Sequence, residues 1–325
     1  MLVYAGIDEA GYGPLLGPLV IVRSTFVLEE KEPSIELPSL WELLNTSVCR
    51  NVRDKKHRIA VEDSKKLYTP SVGLRHLERG VLSFLRTNGI APENLNHLLQ
   101  TLAFDELSFR LDIEWYNHDE GCQTLPMICD RGDLDKDAGR LTRSLLRSRC
   151  RLVDLNAAVV FEDRFNRLIR KHRSKAGCAW NFVSGHLSTL WHRFGLEHPT
   201  VVVDRQGGRK DYSHLLALLF PMIQQDLIYE KPGTSCYRIT EGERMMHVIF
   251  QVNGEACHFP VALASMTAKY VRELLMNRFQ HYWRIHAPDV KSTFGYFKDG
   301  RRFLEEIQPV LEKMDIDRDK LIRCR

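Results

Sequence analysis

The sequence predicts an α/β fold, in which buried strands are combined with amphipathic helices. Residues 1–7 and 18–28 are apolar runs typical of two consecutive strands, and a hairpin is the simplest connection between them. Residues 200–203 are apolar without a break, as in a strand that is buried on both faces. Residues 29–61 are polar and contain two prolines, which predicts a loop or a short excursion.

Three helices are predicted from apolar residues that recur at helical spacing. The first has a start signal at Thr69-Pro70 and a cap at Asn88-Gly89, the second runs from Trp180 to a stop at Gly195, and the third begins near Pro260. The apolar stripes of these helices are Leu74, Leu77, Val81 and Leu85; Val183, Leu187, Leu190, Trp191 and Phe194; and Leu263, Thr267, Tyr270, Val271, Leu274 and Leu275. Helices with one apolar stripe are expected to pack against a sheet.

One acidic cluster is spaced like the first ligands of a calcium-binding loop, at Asp133, Asp135 and Asp137. Gly139 falls one place too late for the sharp turn of such a loop, and Ser144 stands where a bidentate Glu is required. We therefore reject an EF-hand and predict a polar turn.

Composition sets broad limits. The 325 residues, 44% of them hydrophobic, suffice for one large domain or two small ones. The net charge of +4 and the pI of about 8.6 permit a polyanionic partner without requiring one. The eight cysteines form no C-x-x-C pair and no zinc-binding spacing, which indicates reduced thiols. No signal segment or apolar run of membrane-spanning length is present, so we expect a cytoplasmic protein without a membrane partner.

The segment from Ala5 to Pro14, AGIDEAGYGP, carries the first chemical signal. Asp8 and Glu9 are expected at the end of the first strand, and glycines follow at once. Carboxylate oxygens bind Mg²⁺ or Mn²⁺, and backbone N–H groups of a glycine-rich turn can approach a phosphate or a sugar. Taken alone, the segment could also be a solvated strand end followed by an ordinary turn.

Three later segments strengthen the first reading: EDSKKL at residues 62–67, VVVDRQGG at 201–208 and GEACHFPVALASMTAK at 254–269. Together with the opening segment, and in the same order, they resemble type 2 ribonuclease H, the family of ribonucleases HII and HIII. The resemblance covers roughly residues 1–90 and 150–300. It implies a ribonuclease H-like fold, with a mixed central sheet flanked by helices.

The resemblance also implies a catalytic and metal-binding set. Its members are Asp8, Glu9, Asp204 and Glu255, with Asp8 as the bridging ligand of two divalent cations, Mg²⁺ or Mn²⁺. On physical grounds alone, Asp204 could be a turn residue and Glu255 could serve only the dipole of the following helix. The donor-rich loop after Asp204 and the position of Glu255 before ASMTAK favour the catalytic role.

The substrate-binding residues implied by the resemblance include one departure from the family. The family's Gly-Arg-Gly is Gly11-Tyr12-Gly13 here, and in the family this triplet helps to detect the 2′-OH of the ribonucleotide to be cut. Tyr12 could instead stack on a base or sugar, or donate its hydroxyl. The further candidates for contact with the nucleic acid are Lys65, Lys66, Ser265 and Lys269. Ser265 could alternatively be a small packing residue, and Lys269 a surface charge.

Basic residues cluster in three places outside these motifs. The clusters are Arg53, Lys55, Lys56 and Arg58; Arg143, Arg147, Arg149 and Arg151; and Arg167, Arg170, Lys171, Arg173 and Lys175. Three clusters in one chain favour a groove that follows a nucleic-acid backbone. Residues 91–149 have no counterpart in the family pattern. We predict that they form a lobe inserted into a single domain spanning 1–325, and that the arginines of this lobe extend the duplex-binding surface.

The function predicted from the sequence is a metal-dependent endonuclease. Its substrates would be the RNA strand of RNA/DNA hybrids or ribonucleotides embedded in duplex DNA, and two-metal hydrolysis would leave 5′-phosphate and 3′-hydroxyl ends. Two alternatives remain open. One is a hybrid- or duplex-binding protein that no longer cleaves, and the other is a nuclease with an altered substrate preference. A Gly-Tyr-x-Lys element at Gly295, Tyr296 and Lys298 resembles a Gly-Tyr-x-x-Lys element of the family, and its role stays open.

Overall fold

The computed structural model of the chain describes residues 1–69, 71–109, 113–117, 124–205 and 208–324, with only the backbone of Ser108 and Phe109. Its strands are β1 (Leu2–Ala10), β2 (Leu19–Leu28), β3 (Val48–Cys49), β4 (Ile59–Ala60), β5 (Cys150–Val160), β6 (Thr200–Asp204), β7 (Gln224–Lys231), β8 (Thr234–Glu241) and β9 (Arg244–Gln251).

The α-helices of these described ranges are α1 (Leu40–Leu43), α2 (Ser64–Leu67), α3 (Arg75–Thr87), α4 (Leu95–Leu102), α5 (Glu114–Asn117), α6 (Arg131–Arg147), α7 (Glu162–His172), α8 (Lys175–Phe194), α9 (Ser213–Leu219), α10 (Phe259–His286), α11 (Phe297–Glu306), α12 (Gln308–Met314) and α13 (Arg318–Leu321). Short 3₁₀ turns lie at Glu106–Phe109, Gly195–Glu197 and Gly254–Ala256. No helix of the described segments combines the length and the apolar composition needed to cross a bilayer.

A mixed sheet forms the centre of the molecule, in the order β5-β2-β1-β6-β9-β8-β7. The predicted hairpin is confirmed, since β1 and β2 pair antiparallel, and β2 pairs antiparallel with β5. β1, β6 and β9 are parallel neighbours, while β8 and β7 continue the sheet as an antiparallel meander. Helices pack on both faces, so the predicted α/β class with a mixed, helix-flanked sheet is confirmed.

The side chains of β1 alternate between two apolar cores. Leu2 and Tyr4 face a core that contains α10, while Val3 and Ile7 face a second core that contains α8. The buried strand predicted at residues 200–203 is confirmed, because β6 contributes alternately to both cores. α10 also begins where predicted, but it is buried almost all round, since it packs on β1, β2, α3 and α5.

Residues 91–149 add helices to the first core. α4 packs beside β5, and α6 packs along α3 through Leu134, Leu141 and Leu145. The polar turn predicted around Asp133 is wrong, because this residue lies in α6, whose N-terminus is capped by the side chain of Asp130. A buried leucine stripe, not the spacing of the acidic residues, decides the local structure.

Other boundaries differ from the predictions for identifiable reasons. α3 begins at Arg75, because Gly73 adopts a φ of +65° that an α-helix cannot include, and Pro70 lies outside the described residues. The excursion at residues 29–61 contains α1 and the small parallel pair of β3 and β4. The cysteines of the described residues are free thiols, and Cys122 lies outside them.

Candidate active site

Asp8 and Asp204 lie side by side on neighbouring strands. The sequence predicts that β1 ends at Ile7, but the strand runs to Ala10, because its pairing with β2 continues to that residue. In the parallel pair of β1 and β6, Ile7 is opposite Val203, so the next residue of each strand is one of the two aspartates. Adjacent strands are separated by about 4.8 Å. By strand alternation both aspartates face the core that contains α10.

Glu255 joins them from the 3₁₀ turn between β9 and α10. The N–H of Gly254 donates to Oδ1 of Asp204 over 2.9 Å, which fixes this turn against the end of β6. Glu255 is only 6% exposed, and its Oε2 atom is buried without a hydrogen-bond partner among the described residues. A buried carboxylate oxygen without a donor is costly unless a cation or another donor is supplied.

Glu9 has a different orientation from the other three carboxylates. As the next residue of β1 it faces the opposite side of the sheet, where its charge acts to raise the pKa of Tyr12. It is still close enough to contribute to the raised pKa of Asp8. The structure therefore brings Asp8, Asp204 and Glu255 together on one face and places Glu9 at the rim of that site.

The electrostatics of the site reflect burial and like charge. Burial raises the pKa of Asp8 well above its ordinary value, and the charges of Glu9, Asp204 and Glu255 add to the effect, against a hydrogen bond with Ser265. The pKa of Asp204 is raised to about 7, first by burial and then by Glu255, although the Gly254 N–H acts in the opposite direction. We call Asp8, Asp204 and Glu255 the carboxylate edge. Asp8 and Asp204 therefore resist ionising together.

Lys65 brings a positively charged side chain to this site. Burial acts to lower its pKa, but the charges of Asp63 and of the carboxylate edge outweigh burial, so the pKa of Lys65 is raised. The preceding Ser64 is hydrogen-bonded to Ser265 of α10, with 3.1 Å between the two Oγ atoms. That bond joins the DSKKL segment to the carboxylate edge and presents Lys65, which is exposed, beside it.

The other two predicted lysines make ion pairs with glutamates that do not belong to the carboxylate edge. Lys66 is 61% exposed and lies 3.4 Å from Glu62. Lys269 is largely buried, with its Nζ atom 2.7 Å from Glu273 and 4.6 Å from the centre of the Tyr68 ring. The role of both residues in substrate binding stays a prediction.

The glycine turn, residues 11–17, follows β1 directly. Gly11 has a φ of +88°, and a Cβ atom there would lie 2.5 Å from the carbonyl oxygen of Pro18, so glycine is required. Gly13 has no atom within 4 Å of its Cβ position, and it borders open space. Tyr12 is half-buried against the second core, and its pKa is raised by burial and by Glu9. On the other side, Leu15 and Gly295 are joined by a backbone hydrogen bond of 2.8 Å.

The donor set suits a hard divalent cation. Every candidate ligand is a carboxylate, the oxygen chemistry that Mg²⁺ and Mn²⁺ prefer, and the unsatisfied Oε2 of Glu255 lies in the same site. Within the described ranges, however, no three His, Cys, Asp or Glu side chains are already arranged as a coordinating group. The backbone thus places the carboxylates together, while cation binding requires their side chains to converge.

The basic clusters are partly neutralised within the protein. Arg58 pairs with Asp54 over 2.8 Å, Arg167 with Asp163 over 2.9 Å, and Arg149 with Glu30. The donor-rich loop after Asp204 is anchored by Arg205, whose N–H donates to the carbonyl of Gln251 over 2.9 Å, while Gln206 and Gly207 lie outside the described residues.

Sequence motifs did not reveal one residue that supports the carboxylate edge. Arg50 donates to both carboxylate oxygens of Glu62, over 2.6 and 2.9 Å, and to the carbonyl oxygen of Ala256, next to Glu255, over 2.8 Å. It also lies 4.5 Å from the centre of the Trp41 ring. Arg50 belongs to none of the four motifs, and its one signal in the sequence is its place beside the first basic cluster.

No protein-family model and no curated protein matches the chain. The solved structures it resembles include type 2 ribonucleases H. Ribonuclease HII of Archaeoglobus fulgidus, solved with PCNA, is 14% identical, with 99% of this chain and 94% of that one covered and a TM-score of 0.42. Ribonuclease H2 of Pyrococcus horikoshii is 15% identical, with 98% of this chain and 92% of that one covered and a TM-score of 0.40. Bst-RNase HIII in complex with Mn²⁺ is 14% identical, with 99% of this chain and 66% of that one covered and a TM-score of 0.42. These likenesses are distant.

Proposed function

We propose that the chain is a divalent-cation-dependent endonuclease of the type 2 ribonuclease H kind. The observation that carries the proposal is the carboxylate edge, which collects Asp8, Asp204 and Glu255 from three separate segments at one end of the sheet. Like charges at a buried site cost stability unless an opposite charge arrives. Such an arrangement is expected at a site that binds cations, and Lys65 and the glycine turn next to it are suited to a phosphate and a sugar.

Asp8, Asp204 and Glu255 would hold the cations, with Glu9 at the rim. When bound, two such ions supply an activated water and stabilise the departing oxygen in phosphodiester hydrolysis. The chain's own contributions are more local. Lys65 offers a charge to the phosphate, and the exposed side of the glycine turn offers backbone N–H groups to the sugar. The proposed substrates are RNA/DNA hybrids or DNA duplexes that contain ribonucleotides.

The test is cleavage of four matched, end-labelled duplexes in Mg²⁺ or Mn²⁺: RNA/DNA hybrid, DNA with one ribonucleotide, all-DNA and all-RNA. The wild type is expected to cut only at ribonucleotides paired with DNA and to leave 5′-phosphate and 3′-hydroxyl ends. Asp8→Asn is expected to lose at least about a thousandfold in rate, because one of the carboxylates that would hold the cations is removed. It should still bind the hybrid, since phosphate contacts are unchanged.

The matched control for that variant is Asp135→Asn, which changes a carboxylate that is 71% exposed on α6. Wild-type turnover by Asp8→Asn would refute the site. Equal cutting of all-DNA would refute the ribonucleotide preference but not the nuclease.

A binding protein without cleavage is the second candidate, and one observation favours it: Tyr12 stands where the family has arginine. On this candidate the wild type binds the hybrid in preference to DNA, and neither cation produces cuts above the level of Asp8→Asn. The four-duplex assay separates the two functions in a single experiment.

A further inference from the structure

The glycine turn is held from beneath by an arginine that lies far from it in sequence. Arg323 is 1% exposed. Its Nη1 atom donates to the carbonyl oxygens of Gly11 and Gly17, and its Nη2 atom donates to the carbonyl oxygen of Tyr12 over 3.0 Å. The guanidinium lies 3.9 Å from the centre of the Phe165 ring. One side chain therefore fixes three peptide groups of the turn.

A buried carboxylate provides the opposite charge. Glu162, at the start of α7, accepts hydrogen bonds from the N–H of Gly17 over 2.9 Å and from the hydroxyl of Tyr116 over 2.8 Å. Burial lowers the pKa of Arg323 to about 10, and the charge of Glu162 acts against that shift. We call Glu162 and Arg323 the clamp. It binds both carbonyl and N–H groups of the turn.

The clamp determines where the free side of the turn points. In a trans peptide the carbonyl and the N–H that follows it point in opposite directions. Since the carbonyls of Gly11 and Tyr12 are turned toward Arg323, the N–H groups of Tyr12 and Gly13 are turned away from it. Gly13 borders open space, so these two donors face the side from which a ligand can approach.

We propose that Arg323 is a positioning residue for ribonucleotide recognition, which it serves by orienting the Tyr12 and Gly13 amides toward the sugar of the substrate. This proposal rests on the proposed function. A 2′-hydroxyl can accept a hydrogen bond from such an amide, whereas a deoxyribose has no group at that position. Arg323 itself touches no substrate. It acts through the backbone, which is why discrimination can persist without the arginine that the family places at Tyr12.

The test compares Arg323→Lys with the wild type. Lysine keeps the positive charge opposite Glu162 but cannot bind three carbonyls with a rigid planar fork. The matched control is Arg318→Lys, in the same segment, where an exposed arginine donates to Gln308. Affinity is measured in Ca²⁺ for all-DNA duplex and for the same duplex with one ribonucleotide. Hydrogen–deuterium exchange is followed in the peptide spanning residues 5–18.

We expect Arg323→Lys to lose about tenfold of its preference for the ribonucleotide duplex, as for the loss of one or two oriented hydrogen bonds. Its affinity for all-DNA should stay unchanged, and exchange should accelerate in residues 11–17. In cleavage, KM for the ribonucleotide substrate should rise more than kcat falls. Arg318→Lys should match the wild type in every measurement.

Unchanged preference in a folded Arg323→Lys variant with faster exchange would overturn the recognition role and leave a structural one. Unchanged exchange would overturn the clamp itself. If Arg323→Lys does not fold, the double variant Glu162→Gln/Arg323→Met, which removes both buried charges, is measured in the same way. A wild type that prefers the ribonucleotide duplex but does not cut would refute the nuclease and leave the recognition role in place. A wild type without any preference would overturn the recognition role.

Discussion

The carboxylate edge and the clamp are two groups of buried titratable side chains near one turn, and they are built in opposite ways. At the edge, burial and the neighbouring acids, Glu255 among them, raise the pKa values of Asp8 and Asp204. In the clamp, Glu162 faces an arginine, and both bind polar groups of the backbone. The clamp combines charges of opposite sign, although Oε2 of Glu162 and Nε of Arg323 have no hydrogen-bond partner among the described residues. The edge combines acids only, so it requires charge from outside.

This difference separates structure from function in a physical sense. Each side chain of the clamp binds backbone groups of the glycine turn, so the clamp is a device for holding a shape. A cluster of like charges lowers stability and persists where it serves another purpose. The two groups should therefore respond differently to cations, to pH and to substitution.

The largest expected effect is stabilisation of the wild type by divalent cations. At about a thousandfold excess over Kd, a ligand that binds only the native state adds about 4.1 kcal/mol to the free energy of unfolding. Asp8→Asn should lose most of this gain and should be more stable than the wild type in chelator, because one of the like charges has gone. Thermal unfolding with Mg²⁺, Mn²⁺ or EDTA measures both changes. Equal cation-induced shifts in the two proteins would contradict the assignment.

In the clamp, the relevant variable is pH. Burial raises the pKa of Glu162 from 4.5 to about 7, so the protonated form is favoured in the folded state. The stability that Glu162 contributes through this raised pKa is present in full below about pH 4.5 and is lost as the pH rises to 7. Relative to the wild type, Glu162→Gln should therefore gain up to about 3 kcal/mol in unfolding free energy between pH 4.5 and 8. Urea unfolding of both proteins across this range measures the difference, and parallel profiles would contradict it.

A smaller effect distinguishes the two adjacent lysines. Lys65 lies beside the carboxylate edge, whereas Lys66 is paired with Glu62. Lys65→Met should slow cleavage about tenfold to a hundredfold, the value of a charge-assisted contact, while Lys66→Met should change it less than about threefold. Single-turnover cleavage rates of the two variants measure the contrast. The reverse order would place the phosphate elsewhere.

The last comparison lies within the glycine turn. Gly11→Ala should lower stability by about 1–3 kcal/mol, because alanine is strained at a φ of +88° and its Cβ atom would meet the carbonyl of Pro18. Gly13→Ala, at an open position, should change stability by less than about 0.5 kcal/mol. Denaturant unfolding compares them. Equal losses would show that the conformation of the turn does not depend on Gly11.

The sequence predicted those features that depend on neighbouring residues. The apolar run of β6 led to Asp204, and the helix signals at Pro260 placed the start of α10. The gathering of Asp8, Asp204 and Glu255 came from the family resemblance, since no local pattern connects residues two hundred positions apart. The motif did not predict the orientation of Glu9. Because β1 is longer than its apolar run, Glu9 lies within the strand, and adjacent residues of a strand face opposite sides of the sheet.

The meander of β7, β8 and β9 has a local signal in the sequence. Pro232-Gly233 and Gly242 mark tight turns between runs of eight residues, as expected of hairpins. The clamp and Arg50, in contrast, had none. Arg323 is an ordinary arginine in a polar segment, and only the folded chain brings it beneath a turn more than three hundred residues away.

α10 also sets a fixed interval between recognition and chemistry. Ser265 meets Asp8, and Arg272, seven residues later, donates to the carbonyl of Leu16 and packs against Gly11. Seven residues make about two turns of an α-helix, so the two positions are about 10.5 Å apart along the helix axis. Inserting a single residue between the two positions would add 1.5 Å and rotate one contact by about 100° relative to the other. Among related chains, the number of residues between these two positions should therefore be invariant.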